Sequence, residues 1–154
     1  MFTVQKIRDD FIIPAIQTLG LHGVVRLLLG TCAQESHLGK YTHQINGPAL
    51  GIFQIEPNTV KLIRSWIKKN KPELEKKLLS LSMDNRDELW NVQYNHKYSA
   101  ALARILYYSI PAPLPDENSV YAMATYYKKY YNRCGKATVE EFIENYKKLV
   151  LPYL

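Results

Sequence analysis

One run of residues constrains this chain more than any other. From Val24 to Glu35 it reads VVRLLLGTCAQE. Val24, Val25, Leu27, Leu28, Leu29, Cys32 and Ala33 carry apolar side chains round most of a helical cylinder. A helix of that kind is buried on most sides rather than lying on a surface. It ends in a glutamate. The surrounding tract is almost free of acids: between Asp10 and Glu73 only Glu35 and Glu56 occur, although the chain has 14 acidic residues. The sequence therefore sets one carboxyl at the edge of its most apolar helix.

The rest of the pattern is helical almost throughout. Ile7, Phe11, Ile12, Ala15, Ile16 and Leu19 keep helical spacing, with Pro14 placed to kink or split the segment. Residues 36–50, with Gly39, Gly47 and Pro48, read as loop. The GIFQIE segment alternates. If extended, it puts Ile52, Gln54 and Glu56 on one face and Phe53 and Ile55 on the other. Pro57 opens a helix to about Lys69, and a further helix follows Pro72. A long helix is predicted over 86–109, then a connector over 110–118 with three prolines. Asn118 or Ser119 caps a tyrosine-rich helix to about Tyr131, and Thr138 with Glu141 opens a last one. The expected fold is mainly α: one domain over 1–154, a helix bundle with at most a small β-hairpin.

At 154 residues, 47% hydrophobic and 22% charged, the chain suits a single globular domain with a real core. The net charge of +6 biases it toward anionic partners. Nucleic acid is one such partner, but the lysines are spread over several helices and no nucleic-acid motif is present. No run is long enough to span a membrane, and Asp9 and Asp10 interrupt any signal-peptide reading of the opening. Synthesis in a cytoplasm is expected, with delivery elsewhere requiring another agent. Cys32 reads as a small buried hydrophobe and Cys134 as a turn residue.

The chemistry centres on Glu35. Desolvation at the end of a buried helix favours the neutral acid. A carboxyl protonated near neutral pH is what protonates a leaving oxygen in glycoside cleavage. Glu35, His37 and His43 lie close in sequence but match no metal motif, so no metal and no cofactor are expected.

The segments QESHLG and NGPALGIFQIEP give these residues a wider context. They resemble the lysozyme-like superfamily, most of all soluble lytic transglycosylases and goose-type lysozymes. In these a Glu-Ser pair ends a buried helix and a Gly-x-x-Gln segment follows. Here the matching residues are Glu35, Ser36, Gly51 and Gln54. Asn91, Tyr94 and Tyr98 resemble the segment that opens a long helix behind the site, and MATYYKKYYN resembles a late groove-lining segment. The usual alanine-glycine after that segment is replaced by Arg133 and Cys134.

The resemblance implies cleavage of the β-1,4 bond between N-acetylmuramic acid and N-acetylglucosamine in peptidoglycan glycan strands. Glu35 would be the general acid. Gln54 would hold substrate or water, or bond only backbone. Ser36 would orient Glu35 or a sugar hydroxyl. Tyr126, Tyr127, Tyr130 and Asn132 would contact sugar, or the tyrosines would be core. Glu56 is either a second carboxylate that handles water or a helix-start acid. A lytic transglycosylase needs one carboxylate and a hydrolytic muramidase needs two, and the transglycosylase is preferred. The likeness to small phage-encoded members implies a phage lysin (an endolysin), carried in a virion or released through a holin-type lesion. Two other classes stay open: a lysozyme-fold wall-binding or structural virion protein without turnover, and a basic nucleic-acid-binding helical domain.

Overall fold

A computed structural model describes residues 1–43 and 47–154. The middle of the expected 36–50 loop, residues 44–46, lies outside the described residues. Eight helices account for most of the rest. Helix α1 spans 4–19, α2 Val25–Ser36, α3 Pro57–Asn70, α4 Pro72–Leu79, α5 Glu88–Tyr94, α6 His96–Ser109, α7 120–131 and α8 139–150. Among the described residues the only β pairing is two isolated antiparallel bridges, His43 with Leu50 and Leu50 with Ile55. The mainly α expectation holds, with the hairpin reduced to this tuft.

Helix α6 is the axle. Every residue from Tyr98 to Ile105 is buried, and the helix packs against α1, α2, α3, α4, α5 and α7. Beside it runs α2, with Leu27, Leu28, Leu29, Gly30, Thr31, Cys32 and Ala33 all buried. This is the burial on most sides that its apolar sequence demands. No residue of its own caps α2. The Leu27 N–H is instead taken by the Glu117 carboxylate at 2.9 Å, from the connector before α7.

Three sequence expectations meet their physical reasons here. Pro14 neither breaks nor splits α1, because a π turn at Ile7–Ile12 precedes it and widens the ladder where the proline has no N–H to give. The helix expected over 86–109 is two helices. Asn95 is extended, and its side chain accepts the Tyr98 N–H to start α6. Asn91 is buried within α5, where it bonds Met83 and Asp87 backbone and Asn95. The caps Ser119 and Thr138 form as read, accepting Ala122 N–H and Glu141 N–H. Among the described residues no helix is long and apolar enough to cross a membrane.

Candidate active site

Helix α2 stops abruptly after Ser36. His37 and Leu38 both adopt left-handed backbone at φ 49° and 59°, and Gly39 follows at 86°. For the two non-glycine residues this costs on the order of 1–2 kcal/mol each. What holds the bend is Ser36. Its buried hydroxyl donates to the Ile52 carbonyl at 2.7 Å and accepts the Gly39 N–H at 2.9 Å. One serine thus ties the helix end to the segment that returns sixteen residues later. It lies in the interior with its hydroxyl bonded to Cys32, Ile52 and Gly39 backbone, so what it orients is the loop that follows Glu35.

The returning segment is not a strand. Gly51 and Gln54 have φ of 78° and 48°, which folds the chain into a tight turn closed by Leu50–Ile55 backbone bonds. The expected alternation fails at these two residues. Ile52 and Phe53 both enter the core, and Gln54 and Glu56 face outward together. Gly51 is required. A Cβ there would sit 2.3 Å from the Val92 carbonyl oxygen. The Gly51 N–H bonds Thr42 O and Gln93 Oε1, which welds the turn to α5. The Gln54 amide donates to Gly51 O at 2.9 Å, leaving its carbonyl oxygen for another partner.

Behind Glu35 stands an aromatic wall. Tyr107 lies 5.3 Å from Tyr131 and 5.8 Å from Tyr126, ring centre to ring centre, and Tyr127 lies 5.0 Å from Phe142. Tyr127 is fully buried, and its phenol donates to Glu35 Oε1 at 2.6 Å. Burial pushes the Glu35 carboxyl from an ordinary 4.5 up to about 7, against the opposing pull of the Tyr127 and Asn132 side chains. The acid is held at the threshold between its two forms.

Helix α7 ends in a π turn, Tyr127–Tyr131, closed by Asn132 N–H to Tyr127 O. That extra residue per turn shifts which tyrosines face out. Tyr126 is buried with its hydroxyl on Ala112 O, and Tyr130 packs on Tyr126, away from the cleft lining. Tyr131 reaches the cleft, and its hydroxyl donates to Phe53 O at 2.6 Å. A 3.6-residue reading of YYKKYYN cannot make this choice.

These parts enclose a cleft of about 790 Å³. That is inside the range of roughly 300–1,000 Å³ usual for ligand clefts. Four residues singled out in the sequence meet in it: Glu35, Gln54, Glu56 and Asn132. Ser36, Tyr126, Tyr127 and Tyr130 do not line it. Tyr131, Thr59, Arg133 and Lys136 do, and the sequence reading passed over them as site residues. The position of Arg133 and Lys136 just past Asn132 was the available signal. Glu56 starts α3 but its side chain makes no capping bond, and it is exposed.

Among the described residues no three His, Cys, Asp or Glu side chains converge as a metal site. Cys32 and Cys134 are both free. Burial pushes the Cys32 thiol up to about 12, so it stays a neutral core residue, while Cys134 is exposed at the cleft. No protein-family model matches the chain, and neither a curated protein nor a solved structure matches it.

Proposed function

We propose that this protein cleaves peptidoglycan glycan strands as a lysozyme-like enzyme, with Glu35 as general acid at the bond between N-acetylmuramic acid and N-acetylglucosamine. One observation carries the reading: a carboxyl with its affinity for a proton raised to about 7 opens into a cleft large enough for a ligand. An acid so poised gives up its proton in neutral solution more readily than water and still holds it long enough to act. The Glu-Ser and Gly-x-x-Gln pattern adds a second, independent support, since Ser36 and Gly51 build the loop that returns Gln54 to the cleft.

In the preferred transglycosylase course, Glu35 protonates the glycosidic oxygen as the C1–O bond breaks. The resulting carboxylate then takes the proton of the C6 hydroxyl, whose oxygen closes on C1 to give a 1,6-anhydro end. In the hydrolytic course, Glu56 takes a proton from water, whose oxygen adds to C1. Among the described residues Gln54 Oε1 accepts no hydrogen bond, so it can orient a sugar amide or the water. A phage lysin, carried in a virion or released through a holin-type lesion, is the class of protein this reading implies.

Zymography on purified cell wall with wild type and Glu35→Gln tests the assignment. Clearing by wild type and its loss in the variant is the expected result, and equal clearing by both would refute it. Sedimentation with the wall in the absence of any clearing would favour a binding module.

A further inference from the structure

Two separate stretches bring opposite charge to the cleft lining. Gln54, Glu56 and Thr59 come from the turn and start of α3, and Arg133 and Lys136 come from the turn 132–136. Both cations are exposed, and among the described residues neither has an ion pair or side-chain hydrogen bond. Glu56, which also lines the cleft, is ion-paired with neither of them. Their head groups are therefore available to a ligand.

The turn that carries them is pinned from inside. A third cation, Lys128, donates to Asn132 O at 3.1 Å, to Asn132 Oδ1 at 3.2 Å and to Gly135 O at 2.8 Å. Its charge goes into the turn's own carbonyls. Gly135 closes on the Asn132 amide so tightly that a Cβ would lie 2.4 Å from Asn132 Nδ2. Lys128, Asn132 and Gly135 thus form one locked unit, with Asn132 beside Glu35 and Arg133 and Lys136 projecting at the rim. A loop of this length left free would cost a bound ligand its ordering entropy, and this one is already ordered.

A neutral sugar gains nothing from two unpaired cations at a cleft edge. An acidic substituent does, and a planar guanidinium suits a carboxylate in particular. We propose that Arg133 and Lys136 read a carboxylate borne by the glycan, so that the strand binds with its acidic substituents toward turn 132–136 and away from Glu56. This deepens the glycan-cleaving reading and rests on it for the identity of the polymer. A phosphate polymer is the competing anion. Nucleic-acid strands are gripped by exposed aromatic platforms, whereas Tyr131, the one tyrosine lining this cleft, is half-buried with its hydroxyl committed to Phe53.

The test is a binding measurement. Glu35→Gln protein is titrated calorimetrically with a wall oligosaccharide bearing peptide stems, and with the same oligosaccharide after its carboxylates are converted to primary amides. The expected preference for the carboxylated form is about tenfold at low salt, shrinking as salt rises. Adding Arg133→Gln and Lys136→Gln together should bring it to about onefold. Equal binding of the two oligosaccharides, no binding of either, or a preference that survives the double substitution would each overturn the proposal. So would tighter binding of a single-stranded oligonucleotide through the same two residues. Turnover by wild type is read separately: a preference that depends on Arg133 and Lys136, found with no cleavage, upholds carboxylate reading and removes only the glycosidase assignment.

Discussion

Glu35 and Glu56 line one cleft, yet they sit at opposite ends of opposite kinds of structure. Glu35 is in the last turn of α2, where the carbonyl end of the helix opposes negative charge. It is backed by tyrosines, bonded by Tyr127, and pushed up to about 7. Glu56 is the residue before α3, where the N–H end of the helix favours negative charge, and it is exposed to water. The residue type is the same and the surroundings assign different jobs. One site keeps a proton near neutral pH, and the other leaves its carboxyl exposed at a helix start.

The sharpest way to break this contrast is to remove each carboxyl in turn. Glu35→Gln should lower kcat on cell wall by on the order of 10³-fold, the weight of a lost general acid. Glu56→Gln should cost less than about tenfold if the reaction is a transglycosylation, with 1,6-anhydro ends still found by mass spectrometry. A loss in Glu56→Gln equal to that in Glu35→Gln, with reducing ends from the wild type, would make Glu56 the partner that handles water.

The contrast also has a stability face. Glu35 binds its proton more tightly folded than unfolded, so its contribution is fully present below 4.5 and is lost as pH rises through about 7. The gap between those values corresponds to roughly 3 kcal/mol against the folded state once the buried carboxylate must be charged. Glu35→Gln should therefore raise Tm by on the order of 10 °C at pH 8 and change it little at pH 4. Glu56 is exposed, so Glu56→Gln removes no buried group and should change stability little. Thermal unfolding of both variants at the two pH values reads this directly.

The same contrast explains what the sequence could and could not reveal. The apolar run of α2 announces its own burial, so Glu35 at its end was legible as a desolvated acid. Caps at Ser119 and Thr138 were legible because they act over three residues. The break at Asn95 was not, because the apolar pattern continues through it while its side chain bonds Leu81 O, Asn91 and Tyr98 N–H, restarting the chain as α6. Nor was the turn at Gly51, whose need for glycine comes from Val92, forty-one positions away. The choice of Tyr131 over Tyr126 and Tyr130 hangs on a π turn that no periodicity encodes. The resemblance points to Ser36 but not to how it acts; its bond to Ile52 makes it a fastener of the site.

That fastener gives the next test. Ser36→Ala leaves the Ile52 carbonyl and Gly39 N–H without their buried partner. A loss of about 1–3 kcal/mol in denaturant unfolding is expected. Activity should fall further than Glu56→Gln makes it fall, since both the Glu35 bend and the Gln54 turn hang on this hydroxyl. Unchanged stability would mean that the strained His37–Leu38 backbone is held by something else.

The smallest and most specific effect belongs to Tyr127. Its phenol donates to Glu35 Oε1 and so favours the carboxylate, opposing desolvation. Tyr127→Phe keeps the ring against Phe142 and removes only the donor. The Glu35 carboxyl should then hold its proton to a still higher pH, and the alkaline limb of the pH–rate profile should move up by about one unit. Stability at neutral pH should fall by about 1 kcal/mol for the lost bond. A merely structural tyrosine would cost the same stability and leave the limb in place. A limb moving downward would mean that Tyr127 supports the protonated form, and the account of how Glu35 differs from Glu56 would then rest on desolvation and the helix end alone.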